Sequence, residues 1–442
     1  MYTKNMKLSN VLISNLATFP YIPDLATAPG TSFDIHDIGA IHIFIGPNGA
    51  GKSVFLDIIQ QACSTVFFQP YSCSTKDIAN LSYENNTKII HSVAHPIHSL
   101  HENKTGKDKP SHIFITFALN ELDRNNIAFI YKHQKECNEL IEKYSSETIR
   151  FNYSGIEEYI HSCDEIVCKV QVDTHTNTAW RMNEGASEGE KFVYDFFTYF
   201  HLLQHCIAIH NALYPQDDQH WHALHATFAT IGSYRNLLHY KDTYTIGVDE
   251  VDHFAHVLHD ATLSSIKTSQ DHLTGLLYVK KKIATYLFKK NPDATDAQIQ
   301  ELLNDASLYQ ALNRFCKKYL RRSLVVKMTD TNPHTYLFGF TDNEGNIYYL
   351  DELSAGEKSM LGIVCAVYGY GLDKGLLVID EPELHLHPQL QKQFLALIED
   401  LSNYYGMQCI MTTHSSLMIN DKNIKHVYRF HTDKGVTHIV TP

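Results

Sequence analysis

The residues best suited to chemistry form one short stretch, Gly46-Pro47-Asn48-Gly49-Ala50-Gly51-Lys52-Ser53. Its G-x-x-x-x-G-K-S spacing is typical of a phosphate-binding loop, because glycines let backbone N–H groups close around a phosphate. We expect Lys52 to reach the outer phosphates of a nucleotide and the Ser53 hydroxyl to bind Mg²⁺. The stretch therefore predicts a nucleotide site with a magnesium ion beside it.

A pair of acidic residues, Asp380 and Glu381, follows the apolar run Leu376-Leu377-Val378-Ile379. An aspartate at the end of a buried strand is well placed to hold Mg²⁺, directly or through water. The next carboxylate points elsewhere and can polarise a water molecule. Transfer of a phosphoryl group to water needs this division of roles between a metal-holding group and a water-orienting group.

The elements that must position these groups can be predicted from apolar runs. Ile41-His42-Ile43-Phe44-Ile45 precedes the phosphate loop as a strand, and Val54-Phe55-Leu56-Asp57-Ile58-Ile59 follows it as a helix. The run before Asp380 and the run Gln408-Cys409-Ile410-Met411-Thr412 are nearly continuous in apolar residues. Strands buried on both faces of a parallel sheet have this composition.

The rest of the chain divides into three predicted parts: residues 1–186, 187–322 and 323–442. In the first, residues 112–117 and Ile127-Ala128-Phe129-Ile130-Tyr131 are predicted as paired antiparallel strands, with one helix near 132–145. The second is predicted as a helical insertion, its last helix running from about 296 to 322. In the third, strands on either side of Asp342-Asn343-Glu344-Gly345 are expected to form a hairpin. The fold class is therefore α/β.

Composition narrows the class of protein. A length of 442 residues is too great for one ordinary core. The formal net charge of -12 argues against attraction of nucleic acid by the whole surface. Nine cysteines without a C-x-x-C pair indicate reduced thiols. The first residues are not followed by an apolar signal core, and no apolar run approaches the length of a membrane span. We therefore expect a cytoplasmic protein with no membrane contact.

Two further stretches make the pattern specific. Leu353-Ser354-Ala355-Gly356-Glu357 precedes an apolar helix, and Thr412-Thr413-His414-Ser415 ends a predicted strand. In their order and rough spacing, the phosphate loop, these two stretches and the Asp380-Glu381 strand resemble the Walker A, signature, Walker B and switch-histidine motifs of an ABC-type ATPase. The resemblance implies an ABC ATPase head, a parallel sheet with an antiparallel β subdomain, here interrupted by the helical insertion.

The resemblance also implies roles for individual residues. Two ATP molecules would lie between two copies arranged head to tail. Ser354 and Gly356 of one copy, in the signature motif that includes Glu357, would bind the γ-phosphate held by the other copy, as helix N-termini bind anions. Glu381 would be the catalytic carboxylate and His414 the sensor of the γ-phosphate. Asn48 would hydrogen-bond near the oxygen that bridges the β- and γ-phosphates.

The subclass resembles the OLD-like ATPases, relatives of the SMC and recombination-repair heads. Glu383-Leu384-His385-Leu386-His387-Pro388 is similar to their sequence after the Walker B strand, with His387 where transporters have aspartate. Asn15-Leu16-Ala17-Thr18-Phe19 resembles their Asn-Phe-Lys/Arg-Ser-Phe motif. Ala17 departs from that motif where a phosphate-contacting base is usual, so this contact is in doubt.

The expected partners follow from the same resemblance. Only 28 residues follow His414, too few for the Toprim nuclease of OLD proteins. The layout resembles the ATPase subunits of the PARIS and Septu anti-phage systems, which implies a homo-oligomer that holds a separate effector, a nuclease or toxin, with DNA or a phage protein as trigger. Two alternatives stay open: a DNA repair or chromosome-maintenance ATPase, and a scaffold that binds ATP without hydrolysing it.

Two clusters of side chains point to less specific sites. Six histidines between positions 201 and 225 include His201 and His205 at helical spacing, but no neighbouring ligand completes a recognisable zinc set, so packing or solvent-facing histidines are favoured. Lysines and arginines concentrate at 280–282, 289–290, 317–318 and 321–322. They suit either a nucleic-acid groove or a solvated helix face.

Overall fold

A computed structural model describes most of the chain. The described residues are 7–23, 33–34, 41–69, 71–73, 78, 81, 88–92, 101–103, 106–182, 185–214, 220–222, 224, 228–232, 242–246, 271–329, 334–370, 375–419 and 426–440. His225 of the histidine cluster lies outside them, as does Arg235, whose sequence context favours a structural ion pair over a contact with nucleotide or a partner.

A six-stranded sheet forms the centre of the fold. In spatial order its strands are β17 (Val436–Val440), β16 (Val427–Asp433), β3 (Ile41–Ile45), β15 (Gln408–Thr413), β14 (Leu376–Ile379) and β9 (Phe228–Ile231). All neighbours are parallel except the hairpin of β16 and β17. Every residue of β14 and β15 is buried, as the continuous apolar runs predict. The predicted α/β class is confirmed.

An antiparallel sheet of five strands lies beside it. Its order is β2 (Phe33–Asp34), β1 (Lys7–Ser14), β6 (Ser111–Ala118), β7 (Glu165–Asp173) and β8 (Thr178–Arg181). The buried side chain of Gln408 joins the two sheets, because its Oε1 accepts from Leu8 N at 2.9 Å and its Nε2 donates to Leu8 O at 3.1 Å. The first strand of the chain is thereby fixed to the central sheet.

Two smaller sheets complete the β-structure. One contains β10 (Thr243–Thr245), β12 (Thr335–Thr341), β11 (Ser323–Met328) and β13 (Ile347–Tyr348), and the other pairs β4 (Tyr71–Cys73) with β5 (Ile90–Ser92). The predicted hairpin is confirmed, since β12 pairs with β13. Asp342 closes its turn by accepting hydrogen bonds from the backbone N–H groups of Glu344 and Asn346.

The α-helices pack in two cores, which lie on opposite faces of β14 in the central sheet. They are α1 (Lys52–Ala62), α2 (Glu121–Lys132), α3 (Gln134–Tyr144), α4 (Glu157–Ser162), α5 (Glu188–Thr198), α6 (Phe200–Leu213), α7 (Asp271–Lys290), α8 (Asp296–Asn304), α9 (Ser307–Phe315), α10 (Ala355–Tyr370) and α11 (Pro388–Tyr405). Leu376 and Val378 of β14 belong to one core with α1 to α6, and Leu377 and Ile379 to a second core with α7 to α11. This division follows from the alternation of side chains along a strand.

Two sequence predictions about local structure are wrong. The predicted strand at Ile127–Tyr131 and the turn before it form helix α2. Asn120 caps this helix, accepting from Asp123 N while the Asp123 carboxylate accepts from Asn120 N, and such a reciprocal cap favours a helix over a strand. The single helix predicted from 296 to 322 is two helices, α8 and α9, followed by a π-helix (Cys316–Leu320).

The segment 187–322 is not purely helical, since it also contributes β9 to the central sheet and β10 to the third. Its helices α5 and α6 pack in the first core, whereas α7 to α9 pack in the second. The division of the chain into three domains stays a prediction. In the part of the chain that the structure describes, no helix is long and apolar enough to cross a membrane.

Candidate nucleotide site

The phosphate loop connects β3 to α1, the strand and helix predicted on either side of it. Gly51 precedes the first helical residue with φ of 93°, and Gly49 has φ of 77°. Both values lie in the left-handed region that glycine adopts without strain. Asn48 and Gly49 are exposed at the tip of the loop and Ala50 is buried beneath it.

Lys52 is folded back onto its own loop. Its Nζ donates to the carbonyl oxygens of Gly46 at 3.1 Å and Pro47 at 3.2 Å, and lies 2.9 Å from His414 Nε2. The residue is 4% exposed. This burial lowers the pKa of the ammonium group, while the nearby carboxylates, Glu381 foremost, act in the opposite direction.

Asp380 accepts hydrogen bonds from hydroxyl groups on two neighbouring elements, α1 and β15. The Ser53 hydroxyl, at the start of α1, donates to Asp380 Oδ1 at 3.1 Å. The Thr412 hydroxyl, in β15, donates to the same oxygen. The result is a carboxylate and two hydroxyls at one sheet edge, which are hard oxygen ligands of the kind that Mg²⁺ prefers. The residues present therefore fit the predicted metal ion.

Glu381 and His414 lie together next to this oxygen set. Glu381 Oε1 is 3.2 Å from His414 Nε2, and both side chains are partly exposed. Glu381 has φ of 46°, a left-handed conformation that is costly for a residue with a side chain and concentrates at functional sites. The Thr412 hydroxyl accepts a hydrogen bond from Glu381 N at 3.1 Å and so supports this conformation.

The backbone of His414 is also held in place. Glu383 Oε1 accepts a hydrogen bond from His414 N at 2.6 Å. The other carboxylate oxygen of Glu383 is buried and has no hydrogen-bond partner within the described ranges. His414 is therefore contacted by two carboxylates of the Asp380–Glu383 turn as well as by Lys52.

The signature residues form a reciprocal cap at the start of α10. The Ser354 hydroxyl accepts from Glu357 N at 3.3 Å, and Glu357 Oε2 accepts from Ser354 N at 2.8 Å. Arg322 donates to the other oxygen of Glu357 at 3.2 Å. A Cβ atom on Gly356 would lie 2.7 Å from Leu390 Cδ1, so α11 packs closely against this glycine.

The structure thus brings Lys52, Ser53, Asp380, Glu381 and His414 into one site. Ser354, Gly356 and Glu357 lie on another element, with partners of their own. The roles that sequence implied for all of these residues stay predictions. His387 caps α11 by accepting from Gln389 N at 3.4 Å.

Four threonines at this site received no role from sequence reasoning: Thr18, Thr412, Thr432 and Thr437. Thr412 could have been found, because the strand that carries it was predicted and parallel neighbours end at one edge of a sheet. Thr432 and Thr437 contact the phosphate loop from the C-terminal hairpin, donating to Gly49 O and Ala50 O. No motif marks them.

Some members of the histidine and basic clusters make hydrogen bonds and ion pairs within the protein. His205 Nε2 is 3.0 Å from Tyr71 O, and His201 Nδ1 is 3.2 Å from Gln204 Oε1. No group of three metal-binding side chains occurs among the residues described. In the basic cluster, Lys318 pairs with Asp400 and Arg322 with Glu357. These contacts agree with the packing interpretation of both histidines.

A family comparison decides the class of protein. The family described as "AAA ATPase domain" matches residues 6–419. The chain belongs to this family. The predicted ATPase class is thereby confirmed at the level of the family, which implies nucleotide binding.

Similarity to individual proteins is partial. MetN, the methionine import ATP-binding protein of Streptococcus mutans, is 31% identical over 107 residues, 24% of this chain and 29% of that protein. Protein ea59 of Escherichia phage lambda is 26% identical over 170 residues, 38% of this chain and 30% of that protein. The uncharacterized protein MJ1542 of Methanocaldococcus jannaschii is 32% identical over 88 residues, 20% of this chain and 10% of that protein. The alignments thus span less than a third of each relative.

Among solved structures, the chain is similar to an SmcHead bound to the C-winged helix domain of ScpA, with 13% identity, a TM-score of 0.45 and coverage of 98% of this chain and 96% of that one. It is also similar to the SMC head domain from Thermotoga maritima, with 12% identity, a TM-score of 0.41 and coverage of 99% of each chain.

Proposed function

We propose that this chain binds ATP with Mg²⁺ and hydrolyses it to ADP and phosphate. The observation that carries the proposal is the meeting of two groups at one sheet edge. Asp380 joins the hydroxyls of Ser53 and Thr412, and Glu381 lies beside His414 and Lys52. The Asp380 carboxylate thus accepts hydrogen bonds from two hydroxyls, while the neighbouring Glu381 carboxylate lies beside His414.

Each residue has a separate part in this reaction. Ser53 and Asp380 would hold Mg²⁺, which when bound neutralises charge on the phosphate oxygens. Lys52 would exchange the Gly46 and Pro47 carbonyls for phosphate oxygens, and Asn48 and the loop amides would surround the phosphates. Glu381 would accept a hydrogen bond from the attacking water and orient it. His414, held by Glu383, would contact the γ-phosphate.

A second copy would complete each site. The reciprocal cap fixes Ser354 at the start of a 16-residue helix, where backbone N–H groups and the helix dipole favour an anion. We propose that Ser354 and Gly356, with Glu357 held by Arg322, bind the γ-phosphate of the opposing copy. The oligomer is accordingly a head-to-tail pair, or a larger assembly of such pairs.

We further propose that ATP turnover controls a separate effector, a nuclease or toxin, in an anti-phage complex that a phage protein or DNA triggers. Support comes from the layout of the motifs. All nine cysteines are free thiols, which suits a cytoplasmic complex. The principal alternative is a DNA repair or chromosome-maintenance ATPase, which DNA alone would stimulate.

The first experiment compares the wild type with Glu381→Gln, which removes the carboxylate charge and keeps the shape. We expect turnover to fall by about a hundredfold or more, with ATP still bound and the closed oligomer accumulating. Phosphate release and light scattering after size-exclusion chromatography measure these effects. Glu399→Gln, on helix α11, is the matched control. Unchanged phosphate release in Glu381→Gln contradicts hydrolysis at this site.

A further inference from the structure

The C-terminal hairpin of β16 and β17 lies directly behind the phosphate loop. Thr432 Oγ1 donates to Gly49 O at 3.2 Å, and Thr437 Oγ1 donates to Ala50 O at 3.2 Å. Thr437 is 4% exposed, so its hydrogen bond is shielded from water. Two successive carbonyl groups of the phosphate loop therefore accept hydrogen bonds from the hairpin of β16 and β17.

The fit between hairpin and loop is close enough to explain two glycines of the motif. A Cβ atom on Gly46 would lie 2.3 Å from Phe430 O, a backbone atom of β16. One on Gly51 would lie 2.6 Å from Thr437 Oγ1 and 2.8 Å from Thr18 Oγ1. These positions exclude a side chain because protein packs against them, whatever ligand the loop binds.

The backbone of Thr437 is also held by a hydrogen bond. Its backbone N–H donates to Thr18 O at 2.7 Å, which ties the hairpin to the segment after β1. The Thr18 hydroxyl is buried and has no hydrogen-bond partner among the residues that the structure describes. Thr437 thus has its backbone fixed by Thr18 and its hydroxyl fixed on Ala50.

We propose that Thr437 is a positioning residue for the phosphate loop. In a trans peptide, the C=O of one residue and the N–H of the next point in opposite directions. A hydroxyl that holds Ala50 O on the hairpin side therefore turns the Gly51 N–H to the opposite side, where it meets a phosphate oxygen. Thr432 holds the preceding carbonyl, that of Gly49, whereas the Ala50 N–H donates within the loop to Pro47 O at 3.2 Å.

This inference depends on the proposed function for its ligand, so its test has one arm without nucleotide. Thr437→Val keeps the shape of the side chain and removes the donor. We expect amides 49–52 to exchange hydrogen about threefold to tenfold faster in nucleotide-free Thr437→Val than in the wild type. We expect KM for ATP to rise by a similar factor with kcat nearly unchanged, because Glu381 and Asp380 are untouched.

Two controls separate positioning from general damage. Thr437→Ser restores the donor and is expected to recover KM and exchange rates, whereas Thr178→Val makes the same change on exposed strand β8 and is expected to change neither. Equal exchange and equal KM in Thr437→Val and the wild type would overturn the proposal. So would a Thr437→Ser variant as impaired as Thr437→Val. A wild type that neither binds nor hydrolyses ATP would refute the proposed function, while the exchange comparison would still decide the role of Thr437.

Discussion

At the scale of single residues, the environment of the Lys52 side chain differs from that of a lysine exposed to water. It is buried, donates to two carbonyls of its own loop and contacts His414. Burial lowers the pKa of its ammonium group below the usual 10.5. The charged form is the one that attracts phosphate, so the titration of this one group has consequences for both binding and stability.

The first prediction concerns this titration. As pH rises toward 10.5, Lys52 loses its proton before an exposed lysine does, so ATP affinity is expected to fall over that range. The unfolded chain binds more protons than the folded one in the same window, so the contribution of Lys52 to the free energy of unfolding is expected to rise with pH. Equilibrium binding and denaturant unfolding at several pH values measure the two trends.

The control for this titration is Lys52→Ala, which is expected to bind ATP weakly at every pH. Its affinity should show none of the wild-type dependence. A wild-type affinity that stays constant until ordinary lysines titrate would contradict the assigned role of Lys52.

At the scale of elements, the start of α10 combines a structural and a functional use of one serine. Ser354 caps the helix through Glu357 N, and the same N-terminus is proposed to face the γ-phosphate of the opposing copy. The two uses respond differently to charge. Aspartate is as good a helix cap as serine, but it repels a phosphate.

The second prediction separates these uses. Ser354→Asp is expected to keep the thermal stability of the wild type and to lower turnover on the order of a hundredfold, because it places like charges together. Ser354→Ala is expected to lose about 1 kcal/mol of stability with the cap. Calorimetry and steady-state kinetics distinguish the variants. If Ser354→Asp turns over ATP as the wild type does, the signature motif does not meet a phosphate.

The elements also show where sequence is informative. The runs before Asp380 and through Thr412 predicted buried parallel strands correctly, because burial on both faces requires continuous apolar residues. The run Ile127–Tyr131 was ambiguous, since five apolar residues suit a strand or a helix equally. The deciding feature lay upstream, in the reciprocal cap of Asn120 and Asp123.

The same contrast holds within the candidate site. The grouping of Lys52, Ser53, Asp380, Glu381 and His414 was predictable, because the motifs that contain them constrain residue type and spacing. Thr437 was not, because its function depends on a hydroxyl that reaches a carbonyl across the fold. A threonine near the turn of a hairpin carries no local mark of that contact, and only the three-dimensional arrangement of β3 beside β16 supplies it.

At the scale of the whole molecule, the residues proposed to bind the nucleotide and those of the proposed signature motif form separate groups on one chain. The first group surrounds Asp380, and the second surrounds the cap at Ser354. If two copies assemble head to tail, each active site takes one group from each copy. A copy that has lost one group can then still form one intact active site, with a partner that supplies that group.

The third prediction uses this complementation. Lys52→Ala and Ser354→Asp are each expected to be inactive alone. Equal mixing makes half of the pairs mixed, and each mixed pair has one intact site of two, so turnover is expected to recover to about a quarter of the wild-type value. Phosphate release from the separate and mixed variants measures it. The control mixes Lys52→Ala with Glu381→Gln, two variants that damage the same group of residues. No recovery of turnover is expected from this mixture. Recovery to a similar fraction would mean that this group is itself shared between the two copies.

The central position of β3 determines when during synthesis the nucleotide site can form. Both neighbours of β3, β15 and β16, come from the last part of the chain, and so do the threonines behind the loop. A ribosome therefore releases the phosphate loop early, yet the strand before it has no neighbouring strand to pair with until β15 has emerged. A nascent chain would acquire the proposed ability to hold a nucleotide only after β15 and the hairpin of β16 and β17 have emerged, so shorter nascent chains would not bind ATP.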